Sequence, residues 1–289
     1  MPPGTLFVVG TPLGNLSDIT PRAIESLRRA AIVACEDTRR TRGLLEHFGI
    51  KPPRVISCHH FNEKRRLEGL MEALQRGESV ALVTDGGTPS VSDPGSLVVE
   101  AALARGLPVS PIPGPSAVAA ALSVCGFTAD SFLFAGFLPA RGGPRRRALE
   151  SLRAEPRTLV FFEAPHRIVA ASADMLAVLG DRRVTMAREL TKLHEEVRRA
   201  SLSGLVEDLK SRKPPGEYTL VVEGAGDRPA APTTRPDGRA AATPEQLRRR
   251  YAEMIESGTD RATALKALVR ETGLTRREVY SAVRPGDGG

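Results

Sequence analysis

The chain contains no tryptophan, only 4% aromatic residues, and three cysteines among 289 residues. So few rings exclude extended stacking of nucleic-acid bases on aromatic platforms as a main binding mode. Cys35, Cys58 and Cys125 are odd in number and far apart, so they make neither a disulfide framework nor a Cys-x-x-Cys metal site. Cys58, His59 and His60 are consecutive. Neighbours on a strand point to opposite faces, which argues against a metal cluster there, and no metal is expected. No apolar run reaches the ~18 to 20 residues of a membrane span. The amino terminus lacks the basic and apolar regions of a secretory signal, so the expected compartment is the cytoplasm. Two nucleotide signatures are missing as well. No G-x-x-x-x-G-K-[ST] occurs, and Gly10-Thr11-Pro12-Leu13-Gly14 lacks the G-x-G-x-x-G spacing, with Pro12 removing an amide donor.

What is present is a positive balance, 41 Lys and Arg against 34 Asp and Glu, for a net charge of +7. A polyanionic partner such as nucleic acid suits that balance, held through phosphates and arginine. Strand-like and helical runs alternate from the start, the pattern of an α/β fold on mainly parallel strands. Strands are predicted at 5 to 9, 31 to 34, 55 to 58, 79 to 84 and 109 to 112. Between them, Thr20 caps a helix with Pro21 at its first position, and Asn62 caps one that stops at Gly77. Pro115 fits a further helix start. The second half carries strands at 132 to 138, 158 to 162, 184 to 187 and 218 to 222, with helices near 145 to 154, 167 to 179 and 203 to 212. Their number and spacing suggest a separate sheet. The expected organisation is therefore an N-terminal α/β domain at 1 to 114 and a C-terminal α/β domain at 115 to 224, with a cleft between them.

Residues 225 to 242 have no apolar period and read as a flexible linker. Beyond it, Thr243 and Thr275 open capping boxes and Asp260 caps a helix between them. Three short helices are predicted over 243 to 284, an all-α tail whose last two have helix-turn-helix proportions.

The stretch Thr84-Asp85-Gly86-Gly87-Thr88-Pro89 with Ser92-Asp93-Pro94-Gly95 lies between a buried strand and a helix. In open α/β sheets ligands bind at the carboxyl ends of strands, and Gly86 and Gly87 let a ligand approach the backbone. A rigid Gly/Pro turn is the plainer alternative. Similar strand ends at 10 to 15 and 113 to 117 suit an adenosine-bearing ligand without a phosphate tail.

Further motifs occur in order: Thr11-Pro12-Leu13-Gly14-Asn15-Leu16, Cys35-Glu36-Asp37-Thr38-Arg39, Pro113-Gly114-Pro115-Ser116-Ala117, Phe161-Phe162-Glu163-Ala164-Pro165-His166-Arg167 and Ala187-Arg188-Glu189-Leu190-Thr191-Lys192. With the Asp85 stretch, they make the chain resemble the small-subunit (16S) ribosomal RNA (cytidine-2'-O)-methyltransferases of the tetrapyrrole methylase superfamily. The resemblance runs from about residue 5 to 224. It implies two α/β domains, S-adenosyl-L-methionine bound in their cleft, a homodimer, and methylation of a cytidine ribose near the decoding centre of the small ribosomal subunit.

By the same resemblance the cofactor lies against Pro12, Leu13, Asp85, Gly86, Gly87, Thr88, Ser90, Val91, Ser116, Ala117, Phe162, Ala187 and Thr219. Gly86 stands where alanine is expected. Glu163, Glu189 and Lys192 are the catalytic candidates. Arg39, His60, Glu63, His166 and Arg167 are the candidates for holding RNA, joined by Arg145, Arg146 and Arg147 of a basic loop at 141 to 147. The two glutamates also read as structural carboxylates paired to arginine. A methyltransferase acting on a tetrapyrrole carbon, and a non-catalytic RNA-binding assembly protein, are the alternatives.

Overall fold

The computed structural model describes residues 2–212, 215–225, 244–272 and 276–283. They form two compact units, Met1–Ala225 and Gly226–Gly289.

The first unit begins with five short strands, β1 Leu6–Val9, β2 Ile32–Cys35, β3 Arg54–Ser57, β4 Val80–Val83 and β5 Val109–Ile112. All pair in parallel, in the order β3-β2-β4-β1-β5. β1, β2 and β4 are buried on both faces, as parallel strands covered by helices are. Leu6, Ile32, Ala34, Val80 and Leu82 face one core together with α3 Glu63–Gln75 and α4 Ser96–Ala104. The alternate residues Phe7, Val9, Val33, Cys35, Ala81 and Val83 face another, with α1 Pro21–Arg29 and α2 Thr38–His47. This two-residue period puts every strand end, and its loop, along one edge of the sheet.

The second sheet has the order β6-β7-β10-β8-β9, from β6 Phe132–Phe137, β7 Thr158–Glu163, β8 Arg183–Arg188, β9 Glu196–Ser201 and β10 Tyr218–Val222. Only β6 and β7 are parallel; the other pairs are antiparallel. One face packs on α6 Gly142–Glu150, α7 Ile168–Leu179 and α8 Leu202–Arg212 through Leu149, Met175 and Leu205. On the other face Val160, Ala187 and Val221 meet Val118, Ala121 and Cys125 of α5 Ala117–Cys125.

All the expected strands form, with ends displaced by a residue or so. α2 and β9 were not expected. α2 starts at Asp37, whose carboxylate accepts the Arg39 amide at 2.8 Å, and its arginine-rich sequence hides the apolar period. β9 is a sheet-edge strand in which half of the residues are charged and half are exposed. Pro115 precedes the N-cap, which is Ser116. Asn62 stands at the N-cap of α3 without bonding into it, because its Oδ1 accepts the His59 amide instead.

The basic loop expected at 141 to 147 is the start of α6. Arg145 is buried there and pairs with Asp174 at 2.6 Å, so it is a core ion pair rather than an RNA contact.

In the second unit, α9 Pro244–Glu256, α10 Arg261–Thr272 and α11 Arg276–Val283 share a small core of Leu247, Leu265, Leu268 and Val279. Asp260 caps α10, accepting the Ala262 and Thr263 amides at 3.0 and 3.1 Å. The expected linker beyond Ala225, and the capping-box residues Thr243 and Thr275, lie outside the described residues. No helix among the described residues is long and apolar enough to cross a membrane.

Candidate functional site

The loops at the carboxyl edge of the first sheet and the ends of β6, β7 and β10 enclose a cleft of about 890 Å³. Its floor is two loops tied to each other. Thr11 and Gly87 exchange backbone hydrogen bonds of 2.9 Å in both directions, and the Thr11 hydroxyl donates to the Thr84 carbonyl at 3.0 Å. Gly87 has φ +96°, a conformation L side chains rarely adopt, and a Cβ on Gly86 would stand 3.1 Å from the Pro12 carbonyl. Gly87 is therefore favoured by its backbone angle, and Gly86 by the close crossing of the two loops.

On the opposite wall the antiparallel register aligns Phe162, Thr219 and Ala187 across β7, β10 and β8. Phe162 makes an edge contact with Phe134 at 4.9 Å and a tilted contact with Phe137 at 5.6 Å, so its ring is held in place. Of the thirteen expected cofactor residues, Pro12, Leu13, Asp85, Gly86, Ala117, Phe162 and Thr219 line the cleft. Gly87, Thr88, Ser90 and Val91 continue the floor loop without reaching the lining. Ser116 caps α5, its hydroxyl accepting the Ala119 amide at 3.4 Å, and Ala187 is buried behind Thr219.

The charged groups divide into tied and untied. Buried Glu163 pairs with Arg167 at 3.0 Å and accepts the Ala164 amide at 2.9 Å. Lys192 lies between Glu189 at 3.0 Å and Glu217 at 2.9 Å, its stem laid against Gly14 where any Cβ would collide with it. Burial works to lower the Lys192 pKa, but Glu217 and Glu189 outweigh it and raise it, so the amine stays protonated. Burial likewise opposes ionisation of Glu189, yet the Glu217 amide and Lys192 hold its pKa below the ordinary value. Asp85 accepts the Asp37 amide at 3.1 Å and faces Arg40 at 3.5 Å. Asp93 is pushed up to about 6, by burial first and then by the charge of Glu36.

Glu163 and Lys192 line the cleft as expected, and Glu189 stands behind Lys192. His166 lines it too, whereas Arg167 is spent on Glu163 and the Leu138 carbonyl. Glu63 has a different place from the one expected. It is buried, and its Oε1 accepts the Gly95, Leu97 and Val98 amides at 3.1 to 3.3 Å, capping α4 from another helix. Arg39, in the first turn of α2, and His60, on the turn after β3, are exposed, Arg39 paired to Asp37 at 3.0 Å. Arg146 pairs with Asp174 at 2.6 Å, and Arg147 is exposed on α6.

Cleft residues not singled out from sequence include Glu36, Arg40, Thr84, Ser92, Asp93 and Glu217. Glu36 and Asp93 sit inside quoted motifs at the carboxyl ends of β2 and β4, so the strand-end rule alone was enough to reach them. Among the described residues no group of three His, Cys, Asp or Glu side chains is placed to hold a metal ion.

A glycine-rich floor that admits backbone contact, an immobilised phenylalanine and several carboxylates suit an adenosine carrying a positive charge. The fold and this site define a class. Residues 5–206 match the family model of tetrapyrrole (corrin/porphyrin) methylases, and the chain belongs to that family. Solved structures with the same fold include a cobalt precorrin-4 methyltransferase of cobalamin biosynthesis, 17% identical with a TM-score of 0.58 over 76% of this chain and 94% of that one. A diphthine synthase has the same TM-score at 21% identity, over 76% of this chain and 90% of that one.

Within the family, the chain is similar to proteins named ribosomal RNA small subunit methyltransferase I. The one from Xylella fastidiosa (strain Temecula1) is 44% identical over 96% of this chain and 98% of its own length. The one from Synechocystis is 42% identical over 96% of both. The one from Thermotoga maritima is 46% identical over 221 residues, 99% of its length but 76% of this chain.

Proposed function

We propose that this chain is the S-adenosylmethionine-dependent enzyme that methylates the ribose 2'-oxygen of a cytidine in small-subunit (16S) ribosomal RNA near the decoding centre. It works as a homodimer in the cytoplasm, with its two α/β domains divided near residue 114. One observation carries the RNA substrate. Identity to the ribosomal RNA methyltransferases of Synechocystis and Xylella is 42 and 44% over 96% of the chain, whereas the tetrapyrrole methyltransferase structure is only 17% identical.

The bound cofactor supplies an electrophilic methyl group on a positively charged sulfur. Asp85 and Gly86 offer backbone groups for its amino-acid end, Gly87 shaping the turn behind them, while Phe162, Ala117 and Thr219 form a narrow pocket for its adenine. Methyl transfer is an in-line displacement, so holding the acceptor oxygen in line supplies much of the acceleration, ~7 to 11 kcal/mol in well-oriented reactions. The rigid floor and the locked Glu163–Arg167 and Lys192–Glu189–Glu217 clusters serve that alignment. Arg39, His60, Arg147 and His166 are exposed, at the rim or beyond it, and meet RNA from outside the acidic interior.

The test is transfer of tritium from labelled cofactor to small ribosomal subunits, naked ribosomal RNA and a tetrapyrrole, assayed in parallel. Label in the cytidine ribose of the RNA is expected. Label only in the tetrapyrrole overturns the proposal, and no detectable cofactor binding removes the enzyme reading altogether.

A further inference from the structure

The loop after β4 is held against its own preferences around one carboxyl group. Ser90 has φ 69° and Ser92 φ 63°, left-handed backbone that serine rarely adopts. Such strain persists only where surrounding structure over-determines it, and it gathers at functional sites. Here the constraints are visible. The Ser90 amide bonds the Pro94 carbonyl at 3.2 Å, and the Val91 amide bonds the Thr88 carbonyl at 3.3 Å. Glu63 holds the amides of Gly95, Leu97 and Val98 behind the loop. Ser92 Oγ lies so close to β6 that a Cβ on Gly136 would be 2.8 Å from it. Asp93, between Ser92 and Pro94, is thereby fixed on the cleft wall.

Elimination among the cleft carboxylates leads to the same residue. Asp85 faces Arg40, Glu163 pairs with Arg167, and Glu217 pairs with Lys192. Glu36 and Asp93 make no ion pair among the described residues, and both contact Thr84, whose hydroxyl donates to Glu36 Oε2 at 3.4 Å. The charged groups that act on Asp93 are Glu36 and Asp85, which repel its negative form, and His60, which favours it. Burial first, and then the like charges of Glu36 and Asp85, push the Asp93 pKa up to about 6, which suits a proton acceptor at neutral pH.

We propose that Asp93 is the general base that takes the proton from the ribose 2'-hydroxyl during methyl transfer, with Glu36 as its positioning residue. The proposal rests on the ribosomal RNA reading above. The hydroxyl proton passes to the Asp93 carboxylate as the 2'-oxygen lone pair forms the new O–CH3 bond. The electron pair of the breaking C–S bond stays on the donor sulfur and cancels its positive charge. The proton on Asp93 then leaves to water, restoring the carboxylate.

The experiment compares wild-type protein with Asp93→Asn and Glu36→Gln, each checked for fold by circular dichroism. Calorimetry gives cofactor affinity, and labelled transfer to small subunits gives kcat and KM across pH 5 to 9. Asp93→Asn is expected to bind the cofactor within about twofold of wild type while kcat falls about 100-fold, the low end of general-base contributions. Wild-type kcat/KM is expected to rise with pH through an inflection near 6, which Asp93→Asn lacks and Glu36→Gln moves to lower pH. Carbon-13 NMR of carboxyl-labelled aspartates in the cofactor-free protein reads the same titration without turnover.

Undiminished kcat in Asp93→Asn, loss of its cofactor binding, or an inflection that Glu36→Gln leaves in place each overturns the proposal. Wild-type protein that binds cofactor yet labels no ribosomal RNA overturns instead the reading beneath it. Wild-type transfer with an unimpaired Asp93→Asn leaves that reading standing and removes only the base.

Discussion

The two walls of the cleft are built on different principles. The first-sheet wall comes from loops at the ends of parallel strands, held by backbone bonds such as the Thr11–Gly87 pair and by strained serines, and it leaves Glu36 and Asp93 without an ion pair among the described residues. The second-sheet wall comes from strand residues aligned by register, and its charges are locked in Glu163–Arg167 and Lys192–Glu189–Glu217. Register fixes a flat apolar surface well because side chains alternate with a period of two. Loops place single polar groups where no strand can. On the proposed mechanism, reactivity belongs to the first wall and alignment to the second.

The largest effect expected from breaking that division comes from Gly87→Val. A β-branched side chain at φ +96° imposes ~1 to 3 kcal/mol of strain and pushes its Cβ toward Leu13, 3.4 Å away. Cofactor affinity should fall about 100-fold or more at the upper end of that strain, with the far sheet intact. Calorimetry on the folded variant decides it, and unchanged affinity would show that the floor loop is a turn and nothing else.

Next in size is Arg145→Ala, which asks whether the helix after β6 serves the core or the RNA. The side chain is 7% exposed against an Asp174 that is 6% exposed, and its Nη1 also donates to the Ala140 carbonyl at 3.0 Å. Removing it leaves a buried carboxylate with Arg146 as its remaining ion-pair partner, a loss of about 2 kcal/mol in unfolding free energy, below that of a buried charge left with no partner. Urea denaturation reads that loss, while the folded protein should keep its affinity for the small subunit. An unchanged denaturation midpoint with weakened RNA binding would return Arg145 to the role its sequence suggested.

Glu63→Ala comes third. Three amides at the start of α4 lose their acceptor, about 1 to 2 kcal/mol for a lost cap, and the loop carrying Asp93 loses its support from behind. Stability and kcat should fall together, with cofactor affinity nearly unchanged. A fall in RNA affinity alone would contradict the capping role.

These three residues also mark where the sequence was legible. Strand and helix positions came from apolar period and caps, and Thr20, Pro21 and Gly77 stand where those signals put them. Gly87 was readable because its backbone, at φ +96°, favours glycine at a strand end, whereas Gly86 was readable only as one of a pair of small residues beside it. The failures are tertiary. Nothing local tells that Glu63 reaches 32 residues along the chain to cap α4, or that Arg145 meets Asp174 across 29. Both looked like surface charge for the same reason: burial of an ionised group is decided by its partner, which periodicity does not reveal. Asp93 was missed although its motif was in hand, because its distinction is the ion pair it lacks while Asp85, Glu163 and Glu217 have theirs.

The effect of Asp93 on stability has the most informative sign. In the folded protein Asp93 is raised from 3.8 to about 6, so between those values the native state binds the proton that the unfolded chain has released. Its contribution to stability is therefore present at low pH, declines as pH rises from about 4 to 6, and stays unfavourable at pH 7, where a charge is held beside Glu36 and Asp85. Asp93→Asn removes that charge without changing the shape of the side chain. Its melting temperature at pH 7 should exceed that of wild type, and the gap should close as the buffer is brought below pH 6. A residue that serves only the fold would show the opposite sign, since deleting a favourable contact lowers the melting temperature. A more stable protein that has lost turnover is what a site holding an unfavourable charge for its chemistry produces.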